Sequence, residues 1–273
     1  MKAIKITLSF LLVSLLVFNL AWARQAKGSW ITARSFVVMD IDDGKVLYAK
    51  QPYLKLAAAS TVKVMTAITV LENSPLEKPV IISSRAANVE PSKAYLGEGA
   101  TYSTYDLLQA LLISSANDAA VALAESVAGS QERFAEMMNK KAKALGMRNT
   151  RFVNASGLPD KKRHYTTAFD LAILMRYASK NKVFDKIMSM TASAIKGSDG
   201  RRIYLTNHNK LLRNNPKFII GKTGYTLKAK HCFLGTDHGC TKNIVFCILY
   251  SRNPWQDIRR LAAYGLLLEK KKK

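Results

Sequence analysis

The sequence predicts an α+β protein in which one antiparallel sheet, drawn from both ends of the chain, is flanked by helices and interrupted by an inserted helical lobe. Three observations carry this expectation. Strand-like runs occur at Phe36–Ile41 and Lys45–Ala49, and again from Arg201 to Tyr250. Apolar residues recur at helical spacing through much of residues 104–180. Strand material on either side of a helical middle requires distant segments to pair. The expected sheet lobe is about residues 24–85 and 200–268, and the helical lobe about residues 86–199.

The first two strands are joined by Asp42-Asp43-Gly44, a strong hairpin signal. After Pro52, Ala57-Ala58-Ala59-Ser60 opens a helix through about Glu72, with Val64, Ile68 and Leu71 along one face. Ser83–Ser103 is polar and irregular. Thr104–Ile113 reads as a helix with an apolar face of Leu107, Leu108, Leu111 and Leu112, and Asp118–Val127 as another, stopped by Gly129. Ser130 caps a third that runs to Leu145, with Gly146 just past its end. Thr167 and Asp170 resemble a capping box for a fourth, through about Lys180. Arg201–Thr206, Lys217–Thr223, His231–Thr236 and Asn243–Tyr250 read as strands, and Trp255–Leu268 as a closing helix.

Residues 1–23 have the pattern of a secretory leader: Lys2 and Lys5, an apolar run Ile6–Leu20, then Ala21-Trp22-Ala23. The run is shorter than the roughly 20 residues of a membrane span. The body, residues 24–273, is therefore expected outside the cytoplasm, in the periplasm or on the outer face of the membrane. The whole chain has a net charge of +23, of which the leader supplies only two lysines. In an exported protein such charge points to anionic lipid or acidic wall polymers rather than nucleic acid. Lys270–Lys273 reads as a solvated tail. Three cysteines, Cys232, Cys240 and Cys247, give no closed disulfide framework. Cys232 and Cys247 would face each other only in a hairpin turning near Gly239, and the plainer reading is two small buried side chains. No Cys/His spacing resembles a metal site.

Three short motifs occur in order: Ser60-Thr61-Val62-Lys63, Ser115-Ala116-Asn117 and Lys222-Thr223-Gly224. Each alone is weak, since Ser-x-x-Lys is also how a capped helix with an exposed lysine begins. Here Ser60 lies at the first turn of a helix and Lys63 one turn on, so both share a face. A serine hydroxyl needs a nearby base. Lys63 serves as one only if neutral, and burial beside a second cation lowers a lysine's pKa. Lys222 is the obvious second cation, expected to stay charged and hold a substrate carboxylate. His164, His208, His231 and His238 show no pairing with another serine motif.

The set resembles the signature of the penicillin-binding protein and serine β-lactamase superfamily. It is most similar to the low-molecular-mass D-alanyl-D-alanine carboxypeptidases (serine peptidase family S11). The narrower likeness rests on Leu111–Ala120, Asn154-Ala155-Ser156-Gly157-Leu158-Pro159, His164–Ala168 with Asp170, and Gly221–Thr226, and spans nearly all of Ser35–Tyr250. The resemblance implies a β-lactamase/transpeptidase-like fold. It implies Ser60 as acyl-ester nucleophile, Lys63 as general base, Ser115 as proton relay and Asn117 as a group holding Lys63 and the substrate amide. Lys222 and Thr223 would bind the terminal carboxylate, Gly224 would let the substrate backbone lie against its strand, and the N–H groups of Ser60 and Tyr225 would form the oxyanion hole. It implies no cofactor and no metal, peptidoglycan stem peptides as substrates, and β-lactams as covalent inhibitors.

Two features depart from the family pattern. Ala229-Lys230-His231-Cys232 stands where Ala-Gly before an aromatic and Cys is common. Longer carboxypeptidases add a β-rich domain and an amphipathic anchor for which the last residues leave no room, and shorter relatives include D-alanyl endopeptidases. The expected function is thus a D-Ala-D-Ala carboxypeptidase, with an endopeptidase as alternative. A β-lactamase is disfavoured because Arg148–Thr167 offers Asp160 but no Glu-x-x-Leu-Asn pattern. A non-catalytic wall-binding protein is disfavoured because every motif residue is present.

Overall fold

The computed structural model describes residues 30–161, 164–214, 219–237 and 244–270, with side chains described as far as residue 263. The leader, the turn near Gly239, Cys240, His238 and the end of the basic tail lie outside the described residues. Strands β1 (Ser35–Asp40) and β2 (Val46–Lys50) form the expected hairpin. A 3-10 turn, Ala59–Val62, leads into helix α1 (Lys63–Asn73). The single helix expected from Ala57 is therefore split, with Ser60 in the tighter turn and Lys63 at the start of the α-helix.

The polar stretch after α1 holds β3 (Pro79–Ile81), a one-turn helix α2 (Ser84–Ala87) and β4 (Thr101–Ser103), which pairs with β3. Then follow α3 (Thr104–Ile113), α4 (Asn117–Ala128), α5 (Gln131–Ala144), α6 (Ala168–Ala178) and α7 (Lys182–Met188). The caps are chemical. Ser103, Ser130 and Thr167 each accept the backbone N–H three residues on, which pairs an amide the helix leaves orphaned. Gly129 ends α4 at φ +75°.

Next come β5 (Ala192–Lys196), β6 (Arg202–Thr206) and the short α8 (Lys210–Asn214). The last elements are β7 (Ile219–Thr226), β8 (Lys230–Asp237), β9 (Ile244–Ser251) and α9 (Pro254–Lys270). The main sheet is antiparallel in the order β2-β1-β9-β8-β7. β6 does not join it: it pairs with β5, a strand with no clear apolar alternation, and the ribbon packs on α3.

The sheet is buried on both faces, and its strands alternate accordingly. Val37, Met39, Leu234, Val245 and Leu249 face α6 and the helical core. Phe36, Val38, Phe233, Phe246 and Ile248 face α9 through Ile258 and Leu261. Both Cys232 and Cys247 are buried free thiols; Cys247 sits opposite Leu234, so register forbids the disulfide. No helix among the described residues is long and apolar enough to cross a membrane.

The first and last described segments are tied at one carboxylate. Buried Asp257 accepts from Thr32 N at 2.8 Å, Thr32 Oγ1 at 2.7 Å and Ser251 Oγ at 2.6 Å. Asp257→Ala would leave those donors buried and unpaired, and charge-assisted bonds are the strong ones. The expected loss is about 3 kcal/mol, seen as a fall in Tm of roughly 6–12 °C by calorimetry.

Candidate active site

Every motif residue expected from the sequence lies in one cleft of about 270 Å³ between the edge strand β7 and the helical half. Ser60, Ser115, Asn117, Thr223, Gly224 and Tyr225 line it, with the amines of Lys63 and Lys222 buried behind. Close backbone approach makes the cleft. A Cβ on Gly224 would stand 2.9 Å from Ser60 N and 3.0 Å from Ala58 O, so only glycine lets β7 lie against the 3-10 turn. A Cβ on Gly157, at φ +80°, would lie 2.0 Å from Ala59 O, so the Asn154–Leu158 loop reaches the turn the same way.

Lys63 Nζ lies 2.9 Å from Ser60 Oγ, 2.7 Å from Asn117 Oδ1 and 2.8 Å from Ser156 O. This count fits a neutral amine. Two N–H donors meet two carbonyl-type oxygens, which can only accept, and the lone pair is left for the Ser60 proton. Burial is the first cause that drives the Lys63 pKa well below the lysine range; repulsion from Lys222 adds to it, and Asp118 opposes it. Lys222 Nζ donates to Ser115 Oγ at 2.8 Å and to Thr223 O at 3.0 Å. An ammonium has three donors, so one remains uncommitted among the described residues. Burial brings Lys222 down to about 7. The sequence reading kept this amine charged throughout; burial makes the charge conditional, and an anion in the cleft would restore it.

The second motif is held from behind. Ser115 adopts φ +59°, and Asn117 then opens α4. Asn117 Nδ2 donates to Glu90 O and Asn117 N to Ser92 O, each at 2.8 Å, which fixes Oδ1 toward Lys63. Asp118 had a helix-start reading from the sequence. Its fully buried carboxylate in fact accepts from Ala94 N and Leu96 N, both at 3.1 Å, and anchors the loop that walls the cleft.

Sequence reasoning missed two participants. The Ser156 carbonyl is a backbone group, invisible in residue types, although the Asn154-Ala155-Ser156-Gly157 run marked the place. His208 reaches solvent at the cleft mouth, yet the protein around it, then Lys222, Arg213 and Lys63, lower its pKa to about 4. Cys232 also lines the cleft, but burial pushes its thiol up to about 12, so it offers no thiolate. His231 packs on Tyr225 at 4.7 Å. No group of His, Cys, Asp and Glu among the described residues is placed to hold a metal.

Residues 22–252 match the peptidase S11 family, described as D-alanyl-D-alanine carboxypeptidase. The chain is 36% identical over 205 residues to D-alanyl-D-alanine carboxypeptidase DacF of Bacillus subtilis, covering 73% of this chain and 52% of that protein. It is 33% identical over 223 residues to a D-alanyl-D-alanine endopeptidase of Escherichia coli, covering 80% of this chain and 71% of that one. The chain thus spans about half the length of the Bacillus relative. Among solved structures, a D-alanyl-D-alanine carboxypeptidase of Mycobacterium tuberculosis superposes with a TM-score of 0.84 at 28% identity, covering 90% of this chain and 95% of that one.

Lys222 also marks stability. Unfolded, its amine titrates near 10.5; folded, near 7. Between these values the unfolded chain binds more protons, so folding stability rises with pH there. Denaturant unfolding from pH 7 to 10 should show a gain in wild type that is reduced in Lys222→Met, where that proton linkage is gone.

Proposed function

The chain belongs to the D-alanyl-D-alanine carboxypeptidase family of serine peptidases, and from that premise we propose that it is a D-Ala-D-Ala carboxypeptidase that trims peptidoglycan stem peptides through an acyl-enzyme on Ser60. The observation that carries the proposal is the Lys63 amine, buried, depressed in pKa and 2.9 Å from a cleft-facing serine hydroxyl.

Neutral Lys63 takes the Ser60 proton as Oγ attacks the carbonyl of the penultimate D-alanine. The negative charge that develops on that oxygen is received by the N–H groups of Ser60 and Tyr225. The C–N bond then breaks. Ser115 relays the proton that Lys63 took to the departing D-alanine amine, which leaves Lys63 neutral again and the Ser60 ester in place. Water, deprotonated by Lys63, opens the ester and restores the hydroxyl. Asn117 holds Lys63 and the substrate amide. Lys222 and Thr223 anchor the substrate's terminal carboxylate, which offers the acceptor that the third Lys222 donor lacks. A β-lactam would enter by the same attack and stay attached, because its opened amide cannot diffuse away. We place the reaction outside the cytoplasm, where the apolar leader would deliver the chain and its basic surface would meet anionic wall polymers or lipid.

An endopeptidase reading has the likeness to the Escherichia coli protein in its favour. A terminal carboxylate anchor at Lys222 favours the carboxypeptidase. Incubation with a pentapeptide stem should release D-alanine, and cross-linked muropeptide dimers should be opened at least tenfold more slowly; the reverse order would select the endopeptidase. Ser60→Ala should abolish both D-alanine release and covalent labelling by a fluorescent penicillin. Lys63→Ala should lower kcat/KM by about 10³-fold or more, the scale of losing a positioned base.

The two amines also set the pH profile. Lys63 acts without its proton and Lys222 with it, so kcat/KM should rise as Lys63 loses its proton and fall as free-enzyme Lys222 loses its own near 7. A bound carboxylate raises the Lys222 pKa, so the alkaline limb of kcat should lie above that of kcat/KM. Coincident limbs would remove Lys222 from the carboxylate site.

A further inference from the structure

A second cavity, of about 160 Å³, adjoins the cleft and shares Gly157, Leu158 and Thr226 with it. Its far end holds Asp160, Lys161 and Lys228, with His164 also in its lining. Both ring nitrogens of His164 are buried with no hydrogen-bond partner among the described residues, and burial lowers the ring to about 4, so it is uncharged at neutral pH. Among the described residues of this end, two ammonium groups stand against one carboxylate.

The direction of β7 tells what would reach it. If Lys222 and Thr223 hold the terminal carboxylate and the scissile carbonyl lies at Ser60 opposite Gly224, the acyl arm must leave in the opposite sense. That sense runs past Thr226, about 7 Å beyond Gly224 at strand spacing, toward the turn that carries Lys228. The residue before the penultimate D-alanine would therefore lay its side chain in the second cavity. We infer that this cavity is an acyl-arm subsite that selects stem peptides bearing a free carboxylate on that side chain, with Lys161 and Lys228 as its specificity residues. The inference rests on the proposed orientation of substrate in the cleft. Lys161 and Lys228 are exposed, so the pairing is of the screened, modest kind and sets preference rather than rate.

Two tripeptides ending in D-Ala-D-Ala test it, identical except at a lysine whose Nε carries either an acetyl group or a succinyl group with a free carboxylate. The full-length Ser60→Ala protein should bind the succinyl peptide about three- to tenfold more tightly at low salt, with the difference shrinking at high salt. Wild type should show the same ratio in kcat/KM. Lys161→Ala/Lys228→Ala should bring both ratios to about one, and leave kcat/KM for the acetyl peptide within about twofold. Lys140→Ala/Lys186→Ala, which removes equal charge from exposed sites elsewhere, should leave the ratios unchanged. Equal affinities for the two peptides, or a ratio that survives in the Lys161/Lys228 variant, would overturn the subsite. A binding ratio that behaves as expected alongside no D-alanine release would instead sink the proposed reaction and leave the subsite standing.

Discussion

The site depends on one constraint, which is that a primary amine without its proton has two donors and one lone pair to place. Lys63 is surrounded by two carbonyl-type oxygens and one hydroxyl, which come from α4, the Asn154–Leu158 loop and the 3-10 turn. Had a third carbonyl replaced the serine, the ammonium form would be the better fit and the base would be lost. Much of the surrounding structure serves to bring those three oxygens to one nitrogen: the Asn117 bonds to the Glu90 and Ser92 carbonyls, Thr66 Oγ1 donating to Ala155 O, and two glycines where backbones touch.

That arrangement opposes stability. Two amines sit essentially out of solvent, and among the described residues neither has a carboxylate within ion-pair distance. Desolvation of this kind is normally met by pairing or by loss of the proton. Here it is met by loss of the proton, partial for Lys222 and further for Lys63. The penalty and the chemistry have one source, since the low dielectric that makes the charge costly is what leaves the amine unprotonated and free to accept a hydroxyl proton at neutral pH. The large apolar core on both faces of the sheet offsets it.

Much of this was legible in the sequence, for identifiable reasons. Short apolar runs gave β1, β8 and β9, because both faces of each are buried. Caps at Ser130 and Thr167 gave helix starts, because an orphaned amide needs a side-chain acceptor. The three motifs gave the side chains of the cleft, because each chemistry requires a particular functional group. Backbone contributions stayed hidden. The Ser156 carbonyl, the tight turn under Ser60 and the approach of Gly224 to that turn are consequences of tertiary contact that any residue type can supply or deny. The β5 strand was missed because Ala192–Lys196 is half exposed and carries no apolar period. The charge state of Lys222 depended on burial, which residue spacing alone does not reveal.

The order of strands has a kinetic corollary. β9 occupies the middle of the sheet, between β1, some two hundred residues upstream, and β8. Until Ile244–Ser251 and the closing helix have left the ribosome, β1 has only its hairpin partner, and its other edge and the face that α9 covers must wait. Such long-range pairing slows collapse to the native state and lengthens the interval in which a sticky edge can meet another chain. A nascent chain of this design profits from a holdase that keeps it open until synthesis is nearly complete.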